Sequence, residues 1–109
     1  MNLIIKGALI IETESGEKIN TRVVELLRLI ERTGSLNEAV KELDMSYSYA
    51  WNTIFKLNCQ LPNPLVVLQR GGKGGGVATL TDSGKRLLTQ YEQLKKDFIH
   101  FMEEHPVIM

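Results

Sequence analysis

A single cysteine, Cys59, is all the thiol the sequence holds. That excludes an internal disulfide and fits a reducing, cytoplasmic setting. Cys59 follows Leu57 in a helical pattern, so a small packed hydrophobe is the better reading than a nucleophile. Long apolar runs are missing too: nothing approaches the ~18 consecutive apolar residues of a membrane span. The apolar start, Met1 to Ile11, carries only Lys6, has no small-residue cleavage site and runs into Glu12 and Glu14. It reads as a strand, not a signal peptide. Metal ligands are sparse. His100 and His105 stand near the C-terminus without a third His or a cysteine beside them, so no metal and no cofactor is expected and both histidines read as surface residues. No nucleophile–base pair or carboxylate constellation is present, which sets an enzyme aside. Charge of one sign is not in excess either, with 13 basic against 13 acidic residues.

What is present suits one folded domain: 109 residues, 43% hydrophobic and 24% charged. The charge is unevenly spread. From Asn63 to Arg86, Arg70, Lys73, Lys85 and Arg86 face Asp82 alone, a net of +3, whereas Leu87 to Met109 is acidic by two. Leu3 to Thr13 reads as a strand, Glu14-Ser15-Gly16-Glu17 as a turn, and Lys18-Ile19 as a short return. Asn20 is placed to cap a helix to about Arg32, with Val23, Leu26, Leu27 and Ile30 at helical spacing and Thr33-Gly34 ending it. Ser35-Leu36-Asn37-Glu38 has the form of a capping box and starts a short helix to about Leu43. Asp44-Met45-Ser46 is a tight break. Ser46 then caps a helix from Tyr47 to about Gln60 that buries Ala50, Ile54 and Leu57 and is stopped by Pro62 and Pro64. Leu65 to Leu68 and Val77 to Leu80 read as strands around Gly71-Gly72-Lys73-Gly74-Gly75-Gly76. Thr81-Asp82-Ser83-Gly84 starts a last helix to about Glu104.

A short helix, a tight turn and a second helix, followed by a two-stranded hairpin, assemble most simply as a winged helix-turn-helix. Ala39, Leu43, Met45, Ala50 and Ile54 supply the small or apolar contact between the two helices. Tyr47, Ser48, Tyr49, Asn52 and Thr53, with Lys56 further on, read as outward positions able to meet base edges and phosphates. The plainer alternative is a capped helical hairpin in an all-helical domain. The glycine run is not a nucleotide-binding loop: the pattern G-x-x-x-x-G-K-S/T fails because Gly74 follows Lys73, and a strand follows the loop. As a wing tip it brings Arg70 and Lys73 to phosphates; as a bare hairpin tip it touches nothing. Trp51 reads as core packing rather than as a stacking platform for single strands.

In the last helix Leu87, Tyr91, Leu94, Phe98 and Phe101 recur at heptad-like spacing. A helix of that length extends roughly 34 Å at 1.5 Å per residue and overhangs a small domain. A second copy of the chain is the economical cover for its stripe, although the near end around Leu87 and Leu88 also suits packing on its own domain.

The run from Gly34 to Trp51, with Ser46-Tyr47-Ser48-Tyr49-Ala50-Trp51 at its end, resembles the N-terminal DNA-binding domain of the molybdate-responsive transcription regulator ModE. Leu57-Asn58, Arg70 to Gly76 and Leu80-Thr81-Asp82-Ser83-Gly84 do so as well, so that the resemblance covers Val23 to Phe101. More distantly, the helix-turn-helix is similar to that of LysR-type regulators. The resemblance implies a winged helix-turn-helix that dimerises through the helix after the wing and binds a palindromic operator. The turn position the family usually gives to Gly is Asp44 here. The chain ends at Met109, before the molybdate-binding domains of full-length family members, so no oxyanion binding is expected of it.

The expectation is therefore a mainly α chain with a small β wing. Residues 1–81 form a winged helix-turn-helix (N-terminal strand or hairpin 3–19, helix-turn-helix 35–60, wing 64–81), and residues 82–104 form a long dimerisation helix. Its expected partners are double-stranded DNA and a second copy of itself. Ser46, Tyr47, Ser48, Tyr49, Asn52, Thr53, Lys56, Arg70 and Lys73 would contact DNA, in a sequence-specific transcription regulator. An adaptor that uses the same fold to bind protein and not nucleic acid is the alternative.

Overall fold

The computed structural model describes residues 2–69 and 76–109. The apolar N-terminal stretch does not form the continuous strand expected from Leu3 to Thr13. Only β1 (Asn2–Leu3) and β2 (Ile11–Glu12) are extended and paired. A strand persists only where a neighbour takes its amides and carbonyls. β2 finds one in β3 (Lys18–Ile19), with Ile11 opposite Ile19 and Glu12 opposite Lys18. The turn between them closes at Gly16, whose φ of 92° suits glycine.

α1 (Thr21–Thr33) is capped by the Asn20 side chain, which accepts from the Val23 amide at 3.0 Å, and it ends at Gly34 with φ 69°. Val23, Val24, Leu26, Leu27 and Ile30 form its buried face. α2 (Leu36–Leu43) starts at Ser35, whose hydroxyl accepts from the Glu38 amide at 3.2 Å. Only half of the expected capping box forms. The Ser35 amide donates to the Thr33 hydroxyl at 3.3 Å, and Glu38 pairs with Lys41. Asp44 closes α2 in the left-handed conformation, φ 51° and ψ 45°, and the Met45 amide reaches back to the Val40 carbonyl at 2.9 Å. Arg22 donates to the Leu43 carbonyl at 3.1 Å, a cation at the negative end of α2.

α3 (Tyr47–Gln60) is capped by Ser46, which accepts from the Tyr49 amide at 3.0 Å. β4 (Val66–Gln69) and β5 (Val77–Leu80) pair antiparallel, Val66 opposite Leu80 and Gln69 opposite Val77. The Ala78 amide donates to the Gly34 carbonyl at 3.0 Å, which seats this hairpin on the α1–α2 corner. α4 (Asp82–Glu104) follows, and β6 (Val107–Ile108) returns to pair with β1.

Among the described residues there are thus four helices and three small antiparallel strand pairs. Its core gathers α1, the inner faces of α2 and α3, the β4–β5 hairpin and the start of α4. Beyond Tyr91 no residue of α4 is buried, and the chain extends over 60 × 29 × 21 Å. Among the described residues no helix is long and apolar enough to cross a membrane.

Candidate nucleic-acid interface

Helix periodicity decides which residues of α3 face outward. Ala50, Thr53, Ile54 and Leu57, spaced three and four apart, form the buried face. Ser46, Tyr47, Ser48, Tyr49, Asn52 and Lys56 are exposed, Tyr47 at 45% and Tyr49 at 54%. Thr53 corrects the expectation. At 7% exposure it lies in the core and presents nothing outward, as its spacing from Ala50 and Leu57 already required. Phe55 was not anticipated: it stands on the open face at 60% exposure. Cys59 is exposed and not packed, because it falls four residues beyond Phe55 on the same outer side.

Beside α3 lies a cleft of about 470 Å³, bounded by the starts of α2 and α3 and by the β4–β5 hairpin. Leu36, Trp51, Leu68 and Val77 give it apolar walls, and Asn37, Tyr47, Ser48, Asn52 and Gln69 supply amides and hydroxyls. Trp51 is half-buried and packs against the core as it lines the cleft. The expected phosphate contacts Arg70 and Lys73 lie outside the described residues.

Asn58 holds this arrangement together, a role visible in the sequence only as a polar residue inside a familiar motif. From α3 its side chain donates to the Val66 carbonyl at 2.9 Å and accepts from the Leu65 amide at 2.8 Å. It reads the edge of the hairpin as a neighbouring strand would. Thr81, on the second strand's side of the same end, ties it to α4: its amide donates to the Leu65 carbonyl at 2.9 Å, and its hydroxyl caps α4 by accepting from the Gly84 amide at 3.1 Å. Together they fix the hairpin between α3 and α4.

The expected dimerisation stripe divides in two. Tyr91 is 2% exposed and its hydroxyl faces the Leu9 carbonyl at 3.5 Å, so it serves its own core and is not free to meet a partner. Leu87 is half-buried against the same core. Phe98 lies over Gly7. Leu94 and Phe101 are exposed, since α4 has by then passed the edge of the body. Leu3, Ile4, Val107 and Ile108 at or beside the β1–β6 pair are exposed as well. His100 pairs with Glu104 at 2.9 Å and the His105 ring packs tilted against Phe101, both at the surface.

An exposed helix entered from a tight turn, flanked by a docked hairpin, defines a small mixed α/β protein whose third helix faces outward. Known proteins narrow this. No family model matches the chain. The "Molybdenum transport protein ModE" of Azotobacter vinelandii is 39% identical over 88 residues, 81% of this chain and 33% of that protein. The "DNA-binding transcriptional dual regulator ModE" of Escherichia coli K12 is 40% identical over 73 residues, 67% of this chain and 28% of that protein. The "Molybdenum-pterin-binding protein MopB" of Rhodobacter capsulatus is 39% identical over 77 residues, 71% of this chain and 28% of that protein. The chain is a homologue of ModE-named proteins, as its motifs imply, and it spans about a third of the length of the curated relatives it matches.

Proposed function

We propose that the chain is a sequence-specific DNA-binding transcription regulator that acts as a homodimer in the cytoplasm and performs no catalysis. In this reading residues 1–81 are a winged helix-turn-helix, with α2 and α3 as its helices and the β4–β5 hairpin as its wing, and residues 82–104 are the dimerisation helix. The observation that carries it is the outer face at the start of α3. Tyr47, Ser48, Tyr49, Asn52 and Lys56 stand clear of the core there, where a reading helix presents side chains to the major groove. Names of homologues, "Transcriptional regulator ModE" and "DNA-binding transcriptional dual regulator ModE", support the same class.

Asn52 pairs with an adenine edge, Lys56 and the hydroxyls of Ser46, Tyr47, Ser48 and Tyr49 meet phosphates and bases, and Arg70 and Lys73 hold the flanking backbone. Two-fold symmetry of the dimer calls for a palindromic site. Leu94 and Phe101, with the apolar residues beside the β1–β6 pair, are the surface for the second copy. Selection of bound duplexes from a random pool tests the reading. Enrichment of a palindrome is expected, and N52A shifts the preferred sequence more than the bulk affinity. A pool that emerges unenriched refutes it.

A further inference from the structure

The chain holds one Trp, three Tyr and three Phe, and three of these aromatics stand exposed on α3 alone. Tyr47 and Tyr49 carry a hydroxyl that justifies exposure; Phe55 has none and is the most exposed of the three. A phenyl ring held in water forgoes a large burial gain unless something covers it. It is not part of the apolar set on α4, which belongs to another element.

Its position on α3 gives the direction. Ser48, Asn52, Phe55 and Cys59 recur at spacings of four, three and four, so they form one outer ridge. Phe55 lies one turn beyond Asn52, about 4.5 Å further along the axis, which places it over a base pair next to the one Asn52 faces. The major-groove edges of the four base pairs offer amino groups, carbonyls and ring nitrogens and a single apolar group, the C5-methyl of thymine. We propose that Phe55 is a specificity-determining residue that reads that methyl group, alongside the hydrogen-bonding readout by Asn52. This inference rests on the DNA-binding reading above and extends it to a residue type and a base.

The experiment uses the full chain and the duplex enriched from the random pool, with each thymine replaced in turn by deoxyuridine, which removes only the methyl group. Wild-type protein is expected to lose about fourfold in affinity at one or two positions, the worth of one buried methyl. F55A is expected to bind the parent duplex roughly tenfold more weakly and to lose nothing further at those positions. N52A keeps the deoxyuridine sensitivity. Circular dichroism of F55A should match the wild type, because the ring contributes nothing to the core. Wild-type indifference to deoxyuridine at every position overturns the inference, and so does equal sensitivity in F55A. A shift of F55A from dimer to monomer in sedimentation also overturns it, by assigning the ring to a subunit contact. A selection that enriches no duplex defeats the DNA-binding reading together with this one, whereas an enriched duplex indifferent to deoxyuridine defeats this one alone.

Discussion

Replacing Gly84 by alanine puts the packing of α4 to a sharp test. Gly84 sits in the first turn of α4, buried, with its amide bonded to the Thr81 hydroxyl. A β-carbon there would lie 2.4 Å from the Leu65 carbonyl oxygen and 2.5 Å from Leu80 Cδ1. Leu80 can turn aside in part; the Leu65 carbonyl cannot, because it also accepts from the Thr81 amide and hydroxyl. Overpacking of this kind costs about 1–3 kcal/mol, and a backbone clash belongs at the upper end. The helical preference of alanine over glycine returns at most about 1 kcal/mol. A net destabilisation of about 2 kcal/mol follows, which for a domain of this size lowers Tm by roughly 8–12 °C. Thermal and urea unfolding followed by circular dichroism would measure it. G34A is the internal comparison: Gly34 has φ 69° with nothing within 4 Å of a β-carbon, so only backbone strain of about 1 kcal/mol is at stake. If G84A proves as stable as the wild type, or more stable than G34A, the α4–hairpin contact is not as described.

Removing the Asn58 side chain by N58A strands the Leu65 amide and the Val66 carbonyl, and a loss of about 2 kcal/mol in urea unfolding is expected; an unchanged midpoint would mean water replaces both bonds without cost. D44G should stabilise by roughly 1 kcal/mol, since it relieves a left-handed non-glycine residue and removes a negative charge from the C-terminal end of α2. A lower Tm in that variant would show that the Asp44 side chain contributes more than its strain. L94E and F101E place charges on exposed apolar positions of α4 and are expected to leave the secondary structure intact while converting dimer to monomer in sedimentation. Persistence of the dimer in both moves the subunit contact elsewhere.

Much of the fold was legible because its signals are local. Asn20, Ser35 and Ser46 are each read from sequence as caps, and each accepts the amide three residues on. The extents of α3 and α4 follow from those caps, from Pro62 and Pro64, and from Thr81. The pairing of β1 with β6 was not legible. Two strands of two residues each, at opposite ends of the chain, carry no periodicity, and only the path of α4 brings them together. For the same reason Leu3 to Thr13 read as one strand: its composition favours extension, but partners exist only for its two ends.

Which residues of α3 face outward was legible in part. The polar side chain of Thr53 suggests an outward position, but its spacing from Ala50 and Leu57 puts it in the core; the apolarity of Phe55 suggests burial, yet it stands on the open face. Tyr91 fits a heptad seam in sequence, yet its ring is buried in the chain's own core and its hydroxyl donates to the Leu9 carbonyl. A seam pattern states that a face is apolar; what covers it depends on the path of other segments.

A chain with no net charge draws DNA by long-range attraction less than a strongly basic domain does, because its positive excess is confined to the stretch from Asn63 to Arg86. Among the described residues the cleft beside α3 has no charged wall, and on the outer face of α3 Lys56 is the one cation. In the proposed reading, Lys56, Arg70 and Lys73 meet phosphates, and the described surface adds short-range complements: the amides of Asn37, Asn52 and Gln69, tyrosine and serine hydroxyls, and the rings of Phe55 and Trp51. Such groups discriminate between sequences better than they hold duplex in general. In the proposed dimer, two copies joined through α4 would double the contacts without raising the affinity for random DNA by much, because both reading helices would gain fully only at a site with matching half-sites. Charge neutrality, which at first sight speaks against nucleic acid, is thus compatible with the proposed regulator, whose discrimination would rest on contact chemistry and symmetry.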